Sequence, residues 1–267
     1  WPYVYIAAFL TGAVLSLFLT PLSGMAARRF NVISVPSERS VHRHPMPLLG
    51  GLGIYFPILI TILGGIIISN SLLFPASLSE YIPGIRSTMG KLFAILSGGA
   101  IVVTFGVIDD VKTLRAGQKL FLQIISAIIV FSAGIRISLT GPLPSFFLTV
   151  FWLILMMNAF NLMDNMDGLS SGVAFISGAI LFIFAVMMKQ LFVATILAVF
   201  LGSVTGFLRY NFPPAKIFMG ECGSAFLGYF LGTTAILLTF YRYEEHQTFL
   251  PLFAPLVVFS VLFFDTV

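Results

Sequence analysis

Charge is scarce in this chain. Asp, Glu, Lys and Arg together make up 9% of the 267 residues, against about 25% in a soluble domain. A soluble globular protein with an ordinary solvated surface is therefore excluded. Cysteine is nearly missing. The single one, Cys222, excludes an internal disulfide and any Cys-rich zinc site. No cleavable signal peptide is visible, and no nucleic-acid partner is expected. No charge falls near the middle of any predicted span. A channel or transporter more often carries ionisable groups at the bilayer midplane. The chain opens on Trp1 rather than Met and stops at Val267, directly after Asp265 and Thr266. Both ends are expected to be cuts in a longer protein.

What the chain has in plenty is apolar length. Hydrophobic residues reach 58%, with 29 Phe. Nine runs are each long enough to cross a hydrocarbon core of about 30 Å. They lie near 2–23, 49–69, 90–108, 119–137, 145–162, 171–188, 191–209, 224–241 and 249–265. The runs are continuous rather than alternating, so a β-barrel is not expected. Backbone groups in lipid must be satisfied internally, which leaves helices. The expected fold is an all-α, polytopic membrane bundle over residues 1–267, read as one domain.

The few charges are unevenly placed. Loops after odd-numbered runs hold nine Lys and Arg: Arg28, Arg29, Arg39, Arg43, Lys112, Arg115, Lys119, Arg209 and Lys216. Loops after even-numbered runs hold five. The positive-inside rule then puts the odd loops in the cytoplasm and the N-terminus outside. The carboxylates divide more sharply. Glu38, Asp109, Asp110, Asp164, Asp167, Glu221 and Asp265 fall on the odd side, against Glu80, Glu244 and Glu245. Carboxylates contribute little to topology, so this second bias points to chemistry on one face of the membrane.

The stretch Asn158 to Gly172 concentrates that signal. It places Asn158, Asn161, Asp164 and Asp167 at three-residue steps, where an apolar run ends and another begins. Such steps put amide oxygens and carboxylates near one face of a helix end, an arrangement suited to Mg²⁺ and a polar substrate. The third run ends in Asp109-Asp110. Adjacent carboxylates repel unless a cation is near; Lys112, Arg115 or Mg²⁺ could supply it. One Asp could act as base or nucleophile toward phosphorus. Further on, Pro213 and Pro214 stop a helix, and Gly220 and Gly223 bracket Glu221, a hard oxygen ligand. Met25 to Leu49 is a basic loop with His42, Arg43 and His44, followed by Gly50-Gly51. It reads as a cationic lip for phosphates.

These pieces, in this order, resemble the polyprenyl-phosphate N-acetylhexosamine-1-phosphate transferases. That family includes the enzymes that start O-antigen, enterobacterial common antigen and teichoic acid synthesis, and the peptidoglycan translocase. Four motifs carry the resemblance: His42 to Gly51, Asp109-Asp110, Asn158 to Leu169 and Asn211 to Gly228. It implies transfer of a sugar 1-phosphate from a UDP-sugar to undecaprenyl phosphate, with release of UMP. N-acetylglucosamine is the default sugar. The resemblance also implies dependence on Mg²⁺, with Mn²⁺ as a substitute, and a bacterial inner-membrane location among membrane lipid. A homodimer is a family-level expectation.

Residue roles follow by motif position. Asp109 and Asp110 match the family's paired acids, taken to activate the lipid phosphate or organise the metal site. Asn161 and Glu221 match metal ligands. Asp164 and Asp167 match positions that grip the nucleotide sugar, with Asp164 counted beside Asp109 and Asp110 as a catalytic acid. Asn211 and Phe218 match uridine-binding positions, and His42 and Arg43 lie in the loop that helps close the nucleotide site. The chain departs from the family pattern where Glu221 and Ser34 stand in place of Asp, and the family's His-rich loop would follow Val267. A transporter of a lipid-linked or phosphorylated solute is the competing reading; it predicts inverted repeats, and no convincing repeat is found.

Overall fold

The computed structural model describes residues 1–35, 44–69, 71, 76–138, 141–240 and 259. Among them run eight α-helices: α1 (Pro2–Arg29), α2 (Leu52–Ser69), α3 (Ile82–Val111), α4 (Ala116–Ser132), α5 (Pro142–Met163), α6 (Leu169–Met187), α7 (Leu191–Asn211) and α8 (Glu221–Phe240). Each overlaps one of the first eight expected segments. The ninth, 249–265, lies outside the described residues apart from Phe259. Seven helices are long and apolar enough to cross a membrane, while α4, at 17 residues, is shorter.

Local chemistry explains the boundaries. Pro2 and Pro142 open α1 and α5, where the missing N–H has no helical partner to lose. Pro213 and Pro214 follow directly after α7 and prevent its continuation.

The helices pack by two different means. Helix α1 buries only small residues: Gly12, Ser16, Thr20, Ser23, Gly24 and Ala27. Its large residues, among them Tyr3, Leu10, Phe18 and Leu22, face outward. Helix α7 meets it with Gly202 and Gly206, four residues apart. Small residues let helix backbones approach closely without a hydrophobic driving force in lipid. An added methyl at Gly12 or Gly206 would stand 2.6 Å from the carbonyl oxygen of Val199 or Ala13.

Helix α8 is instead the hub. Every residue from Cys222 to Thr239 is buried, with α3 and α5 as its main neighbours. The Tyr229 hydroxyl lies 3.3 and 3.2 Å from the Ala94 and Ile95 carbonyls of α3, and the Trp152 indole N–H of α5 donates to Gly232 at 3.1 Å. Buried polar groups are thus satisfied across helices.

One feature falls outside the all-α expectation. β1 (Ile33–Ser34) and β2 (Met46–Pro47) form an antiparallel ladder, with Ile33 opposite Pro47 and Ser34 opposite Met46. Two residues are too few for alternation to register in a sequence. The ladder has a continuation. Phe218 N–H donates to Pro47 at 2.9 Å, Gly50 N–H to Phe218 at 3.0 Å, and Gly51 N–H to Met219 at 2.9 Å. The heads of α2 and α8 are therefore tied together, at the end of the bundle where α3, α5 and α7 finish.

Candidate active site

The head of α8 meets the end of α3. Asp110 Oδ1 accepts from Glu221 N–H at 2.8 Å, and Asp110 Oδ2 accepts from Cys222 N–H at 3.3 Å. These are the first two residues of α8, whose N–H groups have no partner within the helix. A carboxylate there also answers the positive end of the helix dipole. Charge-assisted bonds of this kind contribute roughly 1.5–3 kcal/mol each. Gly220 makes the approach possible. It has φ +74°, and a Cβ on it would come 2.5 Å from Asp110 Oδ2.

Beside this joint sits an ion triad. Lys119 Nζ lies 2.8 Å from Asp109 Oδ2 and 3.3 Å from Glu221 Oε2. The second Asp109 oxygen accepts from Leu114 N–H at 2.7 Å, in the turn between α3 and α4. Lys112 and Arg115, the expected neighbours of the acid pair, are exposed and form no ion pair among the described residues. The reason is the turn itself: α3 ends at Val111, residues 112–115 reverse the chain, and the first turn of α4 points Lys119 back toward α3. In the sequence Lys119 is one of nine cationic residues in the odd-numbered loops. A lysine on the same helical face as the buried Gln123, four residues on, was the signal that could have found it.

The α5–α6 turn supplies the third part. Asp164 follows the last residue of α5, partly buried, and meets no hydrogen-bond donor among the described residues. Burial pushes its carboxyl up to about 7, and the charges of Asp110 and Glu221 add to the rise. Asn161 is also partly buried, with its side-chain amide in no hydrogen bond among the described residues. The expected single face does not hold together. Helix α5 stops at Met163, and Asn158 instead donates to Gln123 of α4 at 3.1 Å and to Ile154 at 2.8 Å.

The loop between α7 and α8 is built by residues expected to touch substrate. Asp167 Oδ2 accepts from Ala215 N–H at 2.9 Å, linking the α5–α6 turn to this loop. Asn211 is buried. It accepts from the Ser171 hydroxyl at 2.8 Å and donates to Ile217 at 3.1 Å. Phe218, partly buried, stands in the strip that pairs with Pro47 and Gly50. His42 and Arg43 lie outside the described residues, as do Glu38 and Asp265.

Asp109 and Glu221 thus flank the Lys119 ammonium, Asp110 is bonded to the backbone of Glu221, and Asp164 lies near enough to Asp110 and Glu221 to feel their charges. Such an excess of negative charge suits a divalent cation. Among the described residues no three His, Cys, Asp or Glu form a ready-made metal cage. Mg²⁺ does not need one, because it usually takes one or two carboxylates, keeps several waters and adds substrate phosphates. Glu221 and the Asn161 amide are hard oxygen donors of the kind that ion takes.

The family model described as Glycosyl transferase family 4 matches residues 92–239, which contain Asp109, Asp110, Lys119, Asn161, Asp164, Asp167, Asn211, Phe218 and Glu221. A Bacillus subtilis (strain 168) protein named as a probable undecaprenyl-phosphate N-acetylglucosaminyl 1-phosphate transferase is 31% identical over 271 residues, covering 98% of this chain and 69% of that protein. A decaprenyl-phosphate N-acetylglucosaminephosphotransferase of Mycobacterium leprae (strain TN) is 32% identical, over 95% of this chain and 67% of its own length. A phospho-N-acetylmuramoyl-pentapeptide-transferase of Staphylococcus carnosus (strain TM300) is 30% identical, over 88% of this chain and 76% of its own. The chain spans about two thirds of the length of the first two relatives.

Proposed function

The chain belongs to glycosyl transferase family 4, and from that premise we propose that it transfers N-acetylglucosamine 1-phosphate from a UDP-sugar to undecaprenyl phosphate. The product is a diphosphate-linked lipid sugar that starts a cell-envelope polysaccharide, and UMP leaves. One observation carries the proposal: carboxylates from α3, the α5–α6 turn and α8 converge with Lys119 at a single end of an apolar bundle. A membrane-embedded acceptor with a phosphate head needs such a site at the boundary. The gathering of polar groups at helix ends, and the transferase names of the relatives, count against the transporter reading.

In the proposed reaction an oxygen of the lipid phosphate attacks the phosphorus that carries the sugar. A new P–O bond forms there, the bond from that phosphorus to the bridging oxygen breaks, and UMP departs with the bridging oxygen. Asp164 takes the proton from the lipid phosphate. It is the acid in the cluster that meets no donor among the described residues, and its raised value of about 7 suits proton transfer near neutral pH. Lys119, steadied by Asp109 and Glu221, offers positive charge to phosphate oxygens. Mg²⁺, or Mn²⁺ in its place, would be held by Asn161 and Glu221 and supplies neutralisation of the diphosphate when bound. Positioning and charge neutralisation supply most of the acceleration in phosphoryl transfer. Phe218 stacks on the uracil. Asn211 acts from below by shaping the loop that carries Phe218, and Asp167, His42 and Arg43 complete the nucleotide side.

The same reading places this end of the bundle in the cytoplasm of a bacterial inner membrane, where UDP-sugars are made, in a protein that pairs as a homodimer. Residues 1–267 belong to a single transferase domain. The test is UMP release by the full-length protein, given Mg²⁺, undecaprenyl phosphate and UDP-sugars one at a time. Release that requires both lipid and metal, with UDP-N-acetylglucosamine as the best donor, supports the reading. Absence of lipid-dependent release with every donor overturns it.

A further inference from the structure

We propose that Asp110 is a positioning residue: it holds Glu221 in place by capping α8 from another helix, and it does not take the substrate proton. This rests on the reaction proposed above.

The geometry is unusual for a helix cap. A cap ordinarily comes from the residue just before the helix, through its own side chain. Here that residue is Gly220, which has none. The cap is supplied from α3, 111 positions away in sequence. Both Asp110 oxygens are used, one on Glu221 N–H and one on Cys222 N–H. The surroundings are shaped for this contact. At Gly106, one helical turn earlier on α3, an added Cβ would collide with the backbone of Glu221 and Cys222. At Gly220 it would collide with the Asp110 carboxylate. Two glycines without side chains thus bring the end of α3 against the start of α8.

A general base must accept a proton in every cycle. A proton on Asp110 would remove the charge that strengthens both bonds to the backbone N–H groups and weaken the cap. The head of α8, and Glu221 with it, would then loosen at the step that needs it fixed. Asp164 carries no such obligation, since no donor among the described residues meets its carboxylate. Asp109 is already shared between Leu114 N–H and Lys119. The contribution of Asp110 therefore passes through the backbone of Glu221.

The experiment uses the full-length protein in detergent with Asp110→Asn and Asp110→Ala. Without metal or substrate, melting temperatures should fall in the order wild type, Asn, Ala, because Asn keeps one acceptor for the cap. The Mg²⁺ concentration needed for half-maximal UMP release should rise about tenfold to a hundredfold in Asp110→Asn. At saturating Mg²⁺ its kcat should return to within about tenfold of wild type, and the acidic limb of the pH–rate profile should remain. In a Glu221→Ala background, Asp110→Asn should change the Mg²⁺-induced melting shift no further. An Asp110→Asn protein that melts like wild type, loses about a hundredfold or more in kcat at every Mg²⁺ concentration and has no acidic limb would make Asp110 the base. Full additivity with Glu221→Ala would equally overturn the positioning role. If the wild type releases no UMP with any donor, the proposed reaction fails, while the melting order and the Mg²⁺ shift still decide about Asp110.

Discussion

The head of α8 and the end of α5 contribute acids to the same cluster but treat them in opposite ways. At the head of α8, Asp110 is closed in by two backbone N–H groups, and Glu221 by the Lys119 ammonium. At the end of α5, Asn161 in the last helical turn and Asp164 just past it make no side-chain hydrogen bond among the described residues. The first region is a joint and resists movement. The second keeps its bonding capacity for a ligand. Proximity alone does not assign chemistry to an acid; what already occupies its oxygens matters as much.

The comparison can be broken most forcefully at the joint. Glu221→Ala should lower Mg²⁺-dependent turnover by about a hundredfold, read as UMP release across a Mg²⁺ titration. Normal Mg²⁺ dependence in that variant would remove Glu221 from the metal site. Gly220→Ala comes next. A left-handed conformation costs a non-glycine residue about 1–3 kcal/mol, and the added methyl also meets Asp110. A lower melting temperature and a raised Mg²⁺ requirement are expected together.

Smaller changes sharpen the contrast. Lys119→Met leaves Asp109 and Glu221 facing each other without their cation. Both acids keep some contact with solvent, so the expected loss is about 1 kcal/mol, and added Mg²⁺ should reduce it in a thermal melt. Asp164→Asn should stabilise the metal-free protein. The Asp164 carboxyl is raised in the fold to about 7 from an ordinary value of 3.8. Its favourable contribution is full below the ordinary value and is lost as pH climbs through about 7. The gain from Asn should therefore grow between about pH 4 and about pH 7 and then level off. Glu221→Asp should have the mildest effect and keep or raise turnover, because the shorter acid is the family's usual residue.

Much of this molecule was legible beforehand, and the limits have physical causes. Eight of the expected segments are helices, because uninterrupted apolar runs in lipid have little choice but to satisfy their backbones locally. The gathering of Asp109, Asp110, Asp164 and Glu221 at one end of the bundle was legible too, since they sit where runs end. What stayed hidden depends on contacts between distant helices. Asn158 was grouped with Asn161 by spacing, yet it bonds to Gln123 on α4. Asn211 was assigned to the nucleotide, yet its amide is buried between Ser171 and Ile217. Lys119 could not be separated from the other loop cations until the α3–α4 turn was known. The β1–β2 ladder depends on partners brought together only by the helices around it.

A division between an open acid and a locked one separates Asp164 from Asp110. It is tested most directly by UMP release at saturating Mg²⁺ from wild type, Asp164→Asn and Asp110→Asn, assayed side by side with undecaprenyl phosphate. The division predicts that Asp164→Asn loses about a hundredfold or more in kcat while Asp110→Asn stays within about tenfold of wild type. Equal losses, or the larger loss at Asp110, would contradict it.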